Sequence, residues 1–103
     1  MNKKFVIELS LPTKHKKIVN QEIIDLVTMV LIFDQNIDII IASDHFLVTA
    51  LSIFPVDIAN HAKVRFIHSG SSRIKKEFSK NIHNFSFKKI DLVKKKANFF
   101  LKI

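Results

Sequence analysis

Three polar residues, Ser43-Asp44-His45, follow an unbroken apolar run. With His68 further along the chain, they are the side chains whose types could do chemistry. A serine, a carboxylate and an imidazole are the parts of a hydrolytic triad, which can be drawn as Ser43, Asp44 and His68. The serine of such a triad is exposed by a strained, glycine-flanked elbow, whereas Ser43 stands between Ala42 and Asp44. Asp44, His45 and His68 could instead hold a metal ion, but no HxH or HxxxH pair concentrates the donors, and His61 falls in a loop. A helix cap formed by Asp44 is the stronger reading of its position. No catalytic, cofactor-binding or metal-binding residue is assigned on these grounds.

Other chemistry is closed off by composition. The 103 residues include no cysteine, so the chain offers no thiolate nucleophile, persulfide carrier or thiolate metal ligand. The single glycine, Gly70, excludes the glycine-rich phosphate cradles. Ser69-Gly70-Ser71-Ser72, ahead of Arg73, could hold an anion on free backbone N–H groups, although a plain helix cap explains it more simply. The net charge is +8, with basic side chains gathered at Lys14–Lys17 and at Lys88, Lys89, Lys94, Lys95 and Lys96. Nucleic acid is one partner that such a charge suits. Lysine supplies nearly all of it, however, and Arg65 and Arg73 are the only residues of the type favoured for phosphate and base recognition. Ile, Lys, Asn and Phe make up nearly half of the chain, the bias of A/T-rich codons, and this accounts for much of the lysine.

The elements that must position the polar tip alternate along the chain. Lys3 to Ser10 reads as a strand closed by Leu11-Pro12-Thr13. A helix capped by Asn20, with Glu22 in its first turn, runs to Phe33 and buries Ile23, Ile24, Val27, Val30 and Leu31. Met29, Ile32 and Phe33 widen its apolar surface beyond one stripe, as expected of a helix that touches both its own sheet and a neighbour. Ile37 to Ala42 reads as a central strand buried on both faces, ending at the polar tip. A short helix follows from Phe46 to Phe54, and Val56 to Asn60 makes a turn or brief helix. A strand from Lys63 to His68, a helix from Ser72 to Lys80 and a strand from Asn84 to Phe87 come next. A basic helix from Lys88 to Lys96 and a strand from Asn98 to Ile103 complete the chain, with Phe99 and Phe100 read as core.

That order, βαβαβαβαβ, predicts one α/β domain over residues 1–103: a mainly parallel five-stranded sheet flanked by helices. No apolar run reaches the roughly 18 residues of a membrane span, because Asp25, Asp34 and Asp38 interrupt the richest region. The apolar run after Met1-Asn2-Lys3-Lys4 ends at Glu8, so no signal peptide is expected, and a cytoplasmic address fits the lack of cysteine.

Taken in order, several stretches resemble the TusC/DsrF subunit of the DsrE/DsrF/DsrH-like sulfur-relay family. Phe5-Val6-Ile7 leading to Ser10-Leu11-Pro12 is similar to the family's opening strand and loop. Glu22-Ile23-Ile24-Asp25-Leu26 resembles its first helix. Phe33-Asp34-Gln35, then Ile39-Ile40-Ile41 and Asp44-His45-Phe46, resembles its second strand, with His45 where the family has glycine. Phe54-Pro55-Val56-Asp57-Ile58 and the terminal Phe99-Phe100-Leu101-Lys102-Ile103 are similar to later family segments. The resemblance implies a cytoplasmic heterohexamer with TusB-like and TusD-like subunits, relaying persulfide sulfur toward 2-thiolation of the tRNA wobble uridine. In that setting the carrier cysteine belongs to the TusD-like partner, and this chain is a non-catalytic structural subunit without a cofactor. Met29, Phe33, Asp44, His45 and Phe46 are then the candidate interface and tip residues. The alternative from composition is a small basic RNA-binding α/β module acting alone.

Overall fold

The computed structural model describes residues 3–9, 16–41, 53–69 and 81–102. Five strands lie side by side: β1 (Lys4–Leu9), β2 (Asn36–Ile41), β3 (Val64–His68), β4 (Ile82–Asn84) and β5 (Phe99–Lys102). Their order is β4-β3-β2-β1-β5 and every pairing is parallel. Three described helices accompany them: α1 (Lys16–Ile32), α2 (Val56–Ala59) and α3 (Phe87–Lys95). The sheet is thus a five-stranded, all-parallel α/β sheet with helices on both faces.

Successive strand residues point to opposite faces, and the two faces differ in chemistry. On one, Ile7, Leu9, Ile37, Ile39, Ile41, Val64 and Phe66 meet Ile23, Val27 and Val30 of α1 and Ala59 of α2 in the larger core. Phe54 packs edge-on against Phe66 there, with ring centroids 5.4 Å apart. On the other, each central strand contributes one apolar residue, Val6, Ile40 or Ile67, to a smaller core closed by Phe85 and by Ile90 and Val93 of α3. The three consecutive isoleucines of β2 are all buried because helices cover both faces.

Three element readings need correction. Helix α1 begins at Lys16, not near Asn20, so Lys16 and Lys17 are helical and Glu22 lies beyond the first turn. Asparagine inside a helix costs at most about 0.7 kcal/mol relative to alanine, and no Gly or Pro between Lys16 and Asn20 stops the helix from extending back. Strand β4 ends at Asn84, where Phe87 was expected to close it. Ser86 caps α3 instead, its Oγ accepting a hydrogen bond from the Lys89 N–H at 3.2 Å, while Phe85 turns into the smaller core. Phe99 and Phe100, read as core, are exposed on the sheet edge. The expected helices at Phe46–Phe54 and Ser72–Lys80, and the tip Ser43-Asp44-His45, lie wholly or mostly outside the described residues.

The end of α1 is set by local geometry. Asp34 adopts φ 59° in the left-handed region. The Asp34 N–H donates to Leu31 O at 2.9 Å and the Gln35 N–H to Val30 O at 3.1 Å. This is the pair of bonds that closes a helix through a left-handed residue, here aspartate where glycine is commonest. It turns the chain directly into β2 and leaves Met29, Ile32 and Phe33 on the outer side of the last turn.

Candidate functional site

Two surfaces hold the residues with functional potential, one ionic and one apolar. The ionic one lies on the α3 face. Asp38 is 5% exposed within the isoleucine-rich strand β2, and a charge so placed needs a partner. Arg65, one strand over in direct register, supplies it with a two-pronged bond, Nε to Oδ1 at 2.9 Å and Nη2 to Oδ2 at 2.7 Å. Lys4 Nζ stands 3.9 Å from Oδ2. Glu8, 7% exposed, accepts a bond from Lys94 Nζ of α3 at 3.0 Å. The Arg65 guanidinium lies 5.2 Å from the centre of the Phe85 ring and Lys89 Nζ 4.0 Å from it, so two cations share one aromatic.

A recess of about 320 Å³ opens beside this group between Lys4, Asn36, Asp38, Lys63 and Arg65. Its cations already face carboxylates, Arg65 and Lys4 at Asp38 and Lys63 at Asp34. The arrangement ties α3 to the central strands. Among the described residues no buried side-chain nitrogen or oxygen lacks a hydrogen-bond partner, and no three His, Asp or Glu residues converge for a metal ion. His68, drawn into the hypothetical triad, is buried at the end of β3; Ser43 and Asp44 lie outside the described residues, as does the helix that Asp44 was read to cap.

The apolar surface lies on the α1 face at the opposite edge of the sheet from β4. Among the described residues strand β5 pairs with β1 alone, Phe99 stacking on Phe5 with ring centroids 4.7 Å apart. Helix α1 packs over β1 and β2, and between it and β5 runs a groove. Leu26 and Val30 form one wall, Phe99 and Leu101 the other, with Phe5 and Ile7 at the floor, around a volume of about 240 Å³. Next to it, Phe5, Leu26, Met29, Val30 and Phe33 line a second recess of about 390 Å³, bounded by Lys3 and Gln35. Phe33 is 68% exposed, and Phe99, Phe100 and Leu101 each remain 45–49% exposed.

Two of the five sequence-proposed residues, Met29 and Phe33, therefore lie exposed along this groove. Asp44, His45 and Phe46 lie outside the described residues. Phe99, Phe100 and Leu101 are additions that sequence reading missed. Asp38 and Arg65 had a signal, since an aspartate inside an apolar strand demands a cation from a neighbouring element.

Compared with family models, curated proteins and solved structures, the chain matches none. Its likeness to the sulfur-relay family therefore rests on the residues quoted above. No described helix is long and apolar enough to cross a membrane.

Proposed function

We propose that this chain is a non-catalytic structural subunit of a cytoplasmic sulfur-relay assembly, built with TusB-like and TusD-like partners and supporting 2-thiolation of the tRNA wobble uridine. The observation that carries the reading is the apolar groove between α1 and β5, together with the exposed Met29, Ile32, Phe33, Phe99, Phe100 and Leu101 around it. A contiguous apolar surface of this kind marks an interaction site more often than it marks idle surface. The lack of cysteine agrees with a role in which a partner carries the sulfur. The parallel sheet agrees with the α/β architecture that the resemblance implies.

Co-expression with TusB-like and TusD-like proteins, followed by size-exclusion chromatography and mass measurement, tests the proposal. A heterohexamer is the expected product, and a monomer that ignores both partners would sink the reading.

One observation favours a second reading, a basic RNA-binding module acting alone. The lysine-rich helix α3 has an exposed aromatic at its head, Phe87, 73% exposed beside Lys88 and Lys89, and exposed Phe100, in register with Val6 of the α3-face core, follows the helix. Aromatics beside lysines suit single-stranded RNA, whose bases stack on rings while the backbone meets cations. Direct binding to unmodified tRNA that weakens steeply between low and physiological salt would support this reading; no binding at low salt would remove it.

A further inference from the structure

The open edge of β5 has both the backbone groups and the charges to recruit a particular kind of partner. The Asn98 N–H donates to Lys4 O at 2.9 Å, and Asn98 Oδ1 accepts from the Lys4 N–H at 2.7 Å, so this residue clamps the start of β5 to β1. Both backbone groups of Lys4 thus face β5, and by alternation so do those of Val6; in the register that pairs Val6 with Phe100, this turns the backbone groups of Phe99 and Leu101 toward β1. The N–H and C=O groups of Phe100 and Lys102 then point away from the sheet. Among the described residues no strand meets them. An open edge presents unpaired backbone groups that are a template for another strand; β5 carries no Pro, and its one charge, Lys102, stands at its carboxyl end.

Charge identifies the occupant. Lys3 Nζ lies 5.6 Å from the centre of the Phe99 ring at the amino end of the edge, and exposed Lys102 marks its carboxyl end. Lys96 stands at the turn that leads into β5. The carboxylate of neighbouring β1, Glu8, is buried and bonded to Lys94. On the α1 side, exposed Glu22 lies one turn before Leu26 and outside the lining of both recesses. A second copy of the chain fits poorly, because antiparallel pairing of two β5 strands carries Lys102 of each to the Lys3 end of the other.

We propose that the β5 edge and the groove behind it receive an extended segment of a different protein, apolar at alternating positions and carrying Asp or Glu at both ends, added to the sheet as a sixth strand. Its backbone bonds to Phe100 and Lys102, its apolar side chains enter the groove beside α1, and its carboxylates meet the side chains of Lys3 and Lys102. The inference rests on the reading of the chain as an assembly subunit and adds the chemistry of one partner.

The probes are capped synthetic peptides of alternating valine and threonine, one flanked by glutamates, one by lysines, and a glutamate-flanked version N-methylated on one backbone edge. Titration is followed by calorimetry and by amide NMR shifts of the full chain. The glutamate peptide is expected to bind, shifting Phe100 and Lys102, with the lysine peptide roughly three- to tenfold weaker or worse and the methylated one not binding. Phe100→Pro removes an outward N–H while keeping the bonds to β1, and is expected to abolish binding with the fold retained by circular dichroism. Lys3→Glu with Lys102→Glu is expected to reverse the preference between the two charged peptides.

Equal binding of acidic and basic peptides, binding that survives both N-methylation and Phe100→Pro, or failure of the glutamate peptide to bind would each overturn the proposal. So would a dimer of the free chain that Phe100→Pro dissociates, since a second copy would then be the occupant. The two readings separate experimentally. A heterohexamer unaffected by Phe100→Pro and by the double charge reversal leaves the subunit reading standing and removes strand addition. Edge-specific peptide binding without any heterohexamer does the opposite.

Discussion

Asp38 and Arg65 face each other across β2 and β3 in direct register, with the carboxylate nearly dry and the guanidinium about a third exposed. Removing one partner of such a pair costs more than the pair itself contributes, because the remaining charge is left in a medium that solvates it badly. Arg65→Met leaves Asp38 with only Lys4 at 3.9 Å. The expected result is a loss of about 2–4 kcal/mol in urea unfolding, larger than for Lys63→Met, where the exposed Asp34 stays hydrated. Asp34 allows a second test. Its left-handed backbone suits glycine, tolerates aspartate and excludes β-branched residues. Asp34→Val is expected to cost about 1–2 kcal/mol and Asp34→Gly to be neutral or stabilising, both read from denaturant midpoints.

At the scale of elements, α3 shows how a short basic helix is held. Five of its flanking and internal features act together: the Ser86 cap, buried Ile90 and Val93, the Lys94–Glu8 bond, and Lys94 and Lys95 at the negative end of the helix dipole. The cap is separable from the rest. Ser86→Ala is expected to lower stability by about 1 kcal/mol and to speed amide hydrogen exchange at Lys88 and Lys89, whereas Ser86→Asp should keep both near the parent values. The same cap explains why a strand expected over Asn84–Phe87 stops at Asn84. Apolar spacing alone does not separate Phe85, which points into the core, from exposed Phe87, but a serine between them does. Helix α1 was legible from its apolar spacing, and its start was not, since residues that cap well also sit inside helices at small cost.

For the whole molecule, the larger core on the α1 face and the smaller, charge-bordered core on the α3 face divide the labour of stability. The exposed apolar groove shares Ile7, Val30 and Ile37 with the larger core, whereas Met29 and Phe33 at its rim belong to neither core. Met29→Lys with Phe33→Glu should therefore leave unfolding within about 0.5 kcal/mol of the parent while eliminating co-elution with sulfur-relay partners. A matching loss of stability would show instead that these side chains serve the fold.

The chain by itself determined the α/β class, because alternating helix-period and strand-period segments joined by short links admit few other arrangements. It also determined that no thiol chemistry resides here, and that α1 has more apolar surface than one packed stripe consumes. Only the tertiary structure decided which strand lies at the edge. Strand order depends on pairing between segments distant in sequence, and Phe99, Phe100 and Leu101 read the same whether a strand is enclosed or open on one side. Placing β5 beyond β1, outside the cover of α1, turns an apparent core segment into exposed surface. The same pairing sets Asp38 against Arg65, so that a charge which looked anomalous within a run of isoleucines becomes half of a bond.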